Sequence, residues 1–142
     1  MAEPVPRLDA AGVNALLARA FPDAQPEAFP TVTRVAPGRV SVVSRYRPGL
    51  LRPGGVISGP TLMSLADTCA YALVLAHVGD QLMAVTSQLN ISFLRGAQPG
   101  DLHAEGELLR LGRRLAVCDV RLWTEGPDRL AAQANVTYAL PG

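Results

Sequence analysis

Asp67 is an acidic residue set among small and apolar neighbours, with Leu62, Leu65, Ala66, Cys69, Ala70 and Leu73 around it in the chain. An ionised carboxylate so placed can take a proton from water or attack a carbonyl carbon itself. Periodicity alone leaves a second reading open, in which Asp67 is solvated on the outer face of its helix. Gly59 opens the same segment. The first N–H groups of a helix lack internal partners and the helix dipole favours negative charge there, so Gly59 is a candidate oxyanion donor that a carbonyl can approach closely. A plain helix N-cap before Pro60 is compatible with that role. Arg95, Arg113 and Arg114 lie where strand-like segments meet loops. A guanidinium there can grip phosphate in bidentate fashion or simply be solvated.

Other chemistries find less support. His77 and His103 are far apart and the two cysteines, Cys69 and Cys118, sit in separate apolar stretches without a CxxC spacing. No metal site is expected, and both thiols read as small core residues. With 18% charged residues and a formal net charge of +1, the chain offers no broad field for nucleic acid or an anionic membrane. The apolar run Ala70–Val78 is broken by His77 and is much shorter than the ~20 residues of a membrane span. Met1–Pro6 contains Glu3 and two prolines and does not read as a signal peptide, which makes the cytoplasm the expected location.

The elements that must position these residues follow from the hydrophobic pattern. A length of 142 residues with 49% hydrophobic content fits one domain with a full core: residues 31–142 form its body, and residues 1–30 supply a helix and loop of the same domain. Val13, Leu16, Leu17 and Ala20 predict a short amphipathic helix over Leu8–Ala20, and three prolines between Phe21 and Pro30 predict a loop. Thr31–Val35 and Arg39–Tyr46 flank Pro37-Gly38 as a hairpin, and the turn formers of residues 47–55 predict a loop beside the site. Gly59 to about His77 predicts one helix of nearly 30 Å at ~1.5 Å per residue. Four strand-like segments then follow as an expected meander: Leu82–Leu94, Leu102–Leu111, Arg114–Thr124 and a closing segment of Leu130, Ala132, Ala134, Val136 and Tyr138. In the first, alternation groups Thr86 with Gln88, Asn90 and Ser92 on the more polar face. The long helix is the element able to cover the apolar face of such a sheet, so the sheet should wrap around it.

The order Ser58-Gly59-Pro60-Thr61-Leu62-Met63-Ser64-Leu65-Ala66-Asp67-Thr68 resembles the helix start of hotdog-fold thioesterases of the phenylacetate-degradation type, in the 4-hydroxybenzoyl-CoA thioesterase-like superfamily. Those proteins show His-Gly-Gly, six mainly small or apolar residues, then Asp. The likeness continues through Ala84–Arg95, Gly100-Asp101, Gly112–Val117 and the closing strand, over roughly Val40–Leu140. It implies an α+β hotdog fold, assembly as a homodimer or homotetramer, and hydrolysis of acyl-CoA with no cofactor, water being the second substrate. It further implies that Asp67 is general base or nucleophile, that Thr86 holds the water or orients the carboxylate, and that the helix-start glycine of one subunit faces the carboxylate of its neighbour. Arg95, Arg113 and Arg114 would then meet the CoA phosphates. The family's His falls on Ser58, its second Gly on Pro60, and a loop Asn on Arg52, which places Ser58 and Arg52 among the substrate-facing residues. The loss of that His argues against a hotdog dehydratase. Binding of acyl-CoA without turnover stays open as the alternative to hydrolysis.

Overall fold

The computed structural model of the chain describes residues 4–142, so the first half of Met1–Pro6 lies outside the described residues. Asp9 caps helix α1 (Ala10–Ala20) by accepting from the Gly12 N–H at 2.8 Å, and α1 buries Val13, Leu16 and Leu17. Strands β1 (Thr31–Ala36) and β2 (Arg39–Ser44) turn at Pro37-Gly38, where Gly38 has φ +68°, a conformation that costs glycine little. The segment expected as a plain loop carries a 3-10 turn at Pro48–Leu50 and a two-residue ladder of β3 (Leu51–Arg52) with β4 (Val56–Ile57). Helix α2 spans Gly59–Val78, followed by β5 (Val85–Phe93), β6 (Leu102–Leu111), β7 (Leu115–Trp123) and β8 (Ala132–Ala139).

Six strands form one antiparallel sheet in the order β1-β2-β6-β7-β8-β5. The expected four-strand meander is therefore corrected: β6, β7 and β8 are consecutive neighbours, but β5 pairs with β8 at the far edge. The physical reason lies in burial. The inner face of β6 is continuously buried at Leu102, Ala104, Gly106 and Leu108, as a central strand requires, whereas most of β5 is exposed. The loop after β5 carries the chain back past the start of α2, where the Ile57 N–H donates to the Ala97 carbonyl at 2.9 Å.

The curved sheet wraps around α2, which makes this an α+β hotdog fold. Twelve residues of α2 are buried, from Leu62 to His77. By length and composition α2 could cross a bilayer, a property that the shorter run Ala70–Val78 did not convey. Its apolarity is used here against the sheet, as expected for a helix hydrophobic nearly all round. Gly106 permits the closest approach: a Cβ there would lie 3.1 Å from the Cys69 sulfur and from a Val40 methyl. At the C-terminal end, Gly79 adopts φ +82° and donates to the Leu75 carbonyl at 2.9 Å. There His77 accepts from the Gly38 N–H through Nε2 at 2.9 Å and donates from Nδ1 to the Leu73 carbonyl at 2.9 Å, tying helix to hairpin. Burial lowers its pKa below the usual 6.5, opposed by the bond to Leu73.

Candidate active site

The apolar stripe of α2 turns Leu62, Leu65, Ala66, Cys69, Ala70 and Leu73 into the core, and Asp67 stands at the edge of that stripe, half-buried, toward β8 and β5. Its Oδ1 accepts from the Thr86 hydroxyl at 2.6 Å and from the Tyr138 phenol at 2.8 Å. Oδ2 has no partner among the described residues and is the oxygen left for chemistry. The solvated-face reading of Asp67 is thus replaced by a carboxylate anchored on one side and open on the other.

Thr86 reaches Asp67 because of an irregularity that strict alternation misses. The β5–β8 register steps from Thr86↔Tyr138 to Gln88↔Thr137, so Ser87 is the extra residue of a β-bulge. Residues directly opposite in an antiparallel pair share a face. Thr86 therefore lies with Leu89, Ile91 and Phe93 on the helix side, opposite Tyr138, Val136, Ala134 and Ala132. The expected grouping of Thr86 with Gln88, Asn90 and Ser92 is corrected accordingly. The same step turns Val85 outward, where it is 57% exposed.

Gly59 is the first helical residue, and the N-cap is Ser58. The Thr61 N–H donates to the Ser58 carbonyl at 3.1 Å and to its hydroxyl at 3.4 Å, and the Leu62 N–H donates to the Ser58 carbonyl at 3.2 Å. The Ser58 hydroxyl also hydrogen-bonds the Thr61 hydroxyl at 2.8 Å. Pro60 has no N–H, so the Gly59 amide is the one donor of this first turn with no acceptor among the described residues. Gly59 lines a hollow of about 530 Å³ together with Arg52, Phe93, Leu94 and Arg95 among others. A Cβ on Gly59 would touch the Phe93 ring at 3.4 Å.

Within one chain these parts do not converge. Gly59 and Asp67 are separated by about 12 Å along the helix axis at ~1.5 Å per residue. Arg52 and Arg95 lie at the Gly59 end. Arg113 and Arg114 lie in the β6–β7 turn, where the Leu140 N–H donates to the Arg114 carbonyl at 2.8 Å, beside the ends of β8 and β5 nearer Asp67. All four are exposed, and among the described residues none forms a salt bridge with a carboxylate.

Tyr138 is the residue that sequence reasoning missed, since it read only as one more apolar position of the closing strand. A signal was available. A large side chain with a hydroxyl, closing a face made of Ala132, Ala134 and Val136, must find a polar partner when buried. Its ring stacks on Tyr71, with centroids 5.7 Å apart and planes at 19°. Burial pushes its phenol well above the ordinary range, the neighbouring Thr86 side chain acts the other way, and the nearby Asp67 carboxylate adds to the rise. Cys69 and Cys118 are free and buried. Burial raises both thiols, Cys118 to about 12, which keeps them protonated core residues.

A carboxylate inside the central helix and a glycine at that helix's start are consistent with the catalytic arrangement of a hotdog-fold thioesterase. Residues 54–137 match the family model of the thioesterase superfamily. A candidate esterase of Saccharolobus solfataricus is 31% identical over 103 residues, 72% of each chain. Among solved structures, a candidate thioesterase from Silicibacter sp. TM1040 superposes with a TM-score of 0.86 at 36% identity, covering 99% of this chain and 97% of that one. A candidate thioesterase from Ralstonia eutropha JMP134, described as a phenylacetic acid degradation-related protein, gives 0.74 at 27% identity over 87% and 98% of the two chains. The chain belongs to the thioesterase superfamily.

Proposed function

We propose that the protein hydrolyses acyl-CoA thioesters, with Asp67 as general base or nucleophile and the Gly59 N–H as oxyanion donor. The observation that carries this is the Asp67 carboxylate, held at Oδ1 by Thr86 and Tyr138, with Oδ2 unpartnered among the described residues. As a base, Oδ2 takes a proton from the water that attacks the thioester carbonyl. The C–S bond then breaks, and the proton leaves on the CoA thiol. As a nucleophile it attacks the carbonyl carbon and expels the CoA thiolate as the C–S bond breaks, leaving an acyl–carboxylate anhydride. Water opens the anhydride to the free acid and the restored carboxylate, and the proton that water gives up goes to the thiolate. In either route the carbonyl oxygen gains negative charge, which the Gly59 N–H would stabilise as its hydrogen-bond donor.

Because Gly59 and Asp67 of one chain are too far apart to hold one carbonyl, the site is assigned to two subunits. Strand β5 supports this: it is a nine-residue sheet edge with Val85 and Phe93 exposed and an exposed Leu94 just after it, and such an edge invites pairing. Asp67 lies at the Thr86 end of β5 and Gly59 at the Phe93 end. A two-fold axis through the middle of β5 sets each end against the partner's other end. Each carboxylate would then meet the partner's glycine, and the Arg113-Arg114 turn would approach the partner's end carrying Arg52 and Arg95, around the CoA phosphates. We propose a homodimer, or a homotetramer built from two such dimers, located in the cytoplasm.

The test is hydrolysis of short, medium, long and aromatic acyl-CoA, with the freed thiol read by a chromogenic reagent. The parent should turn over at least one of them, and Asp67→Asn should lower kcat by ~100-fold or more with little change in KM. Pro60 removes the amide that a second glycine would supply, which favours binding without hydrolysis as the second reading. Tight acyl-CoA binding with no turnover across the panel establishes that alternative.

A further inference from the structure

We infer that Tyr138 is a positioning residue for the reaction, holding the Asp67 carboxylate so that only Oδ2 faces the substrate. The inference rests on the reading that Asp67 carries the chemistry. The Tyr138 hydroxyl lies 2.8 Å from Asp67 Oδ1 and 3.2 Å from the Asp67 main-chain carbonyl. A phenol has one proton to donate, and the charged oxygen is the stronger acceptor. With that proton on Oδ1, the phenol anchors the carboxylate from β8 and restricts its rotation, and the main-chain carbonyl is a close neighbour rather than a second acceptor. Thr86 donates to the same oxygen from β5. With two donors on Oδ1, the carboxylate presents one oxygen in a fixed direction.

Tyr138 is itself held. Its side chain is buried on the inner face of β8. Its ring stacks on that of Tyr71, one helical turn beyond Asp67, and the Tyr71 hydroxyl donates to the Leu82 carbonyl at 2.8 Å. The groups packed around the carboxylate are therefore Tyr138 from β8, Thr86 from β5 and, within α2, Tyr71. Burial keeps the Tyr138 phenol protonated through the neutral range, so it serves as a constant donor rather than as an acid that gives up its proton. This support reaches the site from the last strand of the fold, 71 residues along the chain.

Tyr138→Phe keeps the ring and its stacking and removes the donor. With hexanoyl-CoA and benzoyl-CoA as probes, kcat should fall about tenfold, the weight of one hydrogen bond to a charged group, while KM changes less than about twofold. In the Asp67→Asn background the same substitution should lower the residual rate no further. A Tyr138→Phe protein with parental kcat overturns the inference while Asp67→Asn is still inactive. So does a fall in kcat that adds to that of Asp67→Asn, or a loss carried by KM rather than kcat. Undiminished turnover by Asp67→Asn instead sinks the underlying assignment of Asp67.

Discussion

Two inactive chains should restore each other if the site is shared between subunits. Asp67→Asn removes the carboxylate and keeps its size, and Gly59→Val places methyl groups over the amide and against Phe93, which a Cβ at that position already meets at 3.4 Å. Each homodimer then carries two broken sites. In a heterodimer, Gly59 of the Asp67→Asn chain faces Asp67 of the Gly59→Val chain, giving one intact site and one doubly broken. Random mixing of equal amounts makes half of the dimers mixed, so about a quarter of all sites are intact and activity should recover to about 25% of the parent. The geometric reason is the ~12 Å axial separation along α2, against the ~3 Å at which an oxyanion donor must act. The assay is thiol release after denaturation and corefolding of the mixture, with affinity tags to isolate mixed dimers and melting curves to confirm that each parent chain folds. Verified heterodimers with no more activity than either homodimer refute the shared site, and a stable monomer in light scattering refutes the pairing itself.

The arginines at the turn and the histidine under the hairpin give two further outcomes. Arg113→Ala with Arg114→Ala should raise KM for acyl-CoA several-fold more than it lowers kcat, because phosphate contacts remote from the carbonyl bind ground and transition states alike. The difference from the parent should narrow as salt is added, and unchanged binding would leave these arginines as a solvated turn. His77 is neutral in the fold with its pKa lowered by burial, so the unfolded chain takes up a proton first as pH falls. Its contribution to stability is complete above the ordinary 6.5 and is lost as pH drops below that value toward the lowered one. Melting temperature should therefore decline as pH falls below the ordinary 6.5. His77→Leu should cost about 1–3 kcal/mol by orphaning the Gly38 N–H and should flatten that decline; an equal pH slope in parent and variant would contradict this account.

Much of this fold is legible because its signals are local and repeated. The helical stripe from Leu62 to Leu73, the Ser58-Gly59-Pro60 start and the alternation of Cys118, Val120 and Leu122 each follow from one period and one set of terminators. The position of β5 is less local. Its pairing with β8 depends on which strand best tolerates solvent on both faces and on where the connection through Ala97 can cross, and both are properties of the assembled sheet. His77 illustrates the same limit. Its two ring nitrogens are matched by a carbonyl one turn back and an amide 39 residues away, and only the first is implied by the helix.

The candidate site divides along the same line. Asp67 and Gly59 stand out in sequence, as a charge inside an apolar segment and as a glycine where a helix must begin. Thr86 is visible as a residue, but its orientation is not, because a period-two reading has no means of inserting Ser87. One extra residue in β5 moves Thr86 from the outer face to the inner one, and without that move Asp67 would lose its hydroxyl donor on that side. The bulge also turns Val85 outward at the edge where the partner is expected. A single local irregularity thus gives β5 both of its tasks, completing the carboxylate's support and turning Val85 outward at the edge where a partner is proposed. That coupling makes the strand's register, more than any one side chain, the feature on which the proposed shared site depends.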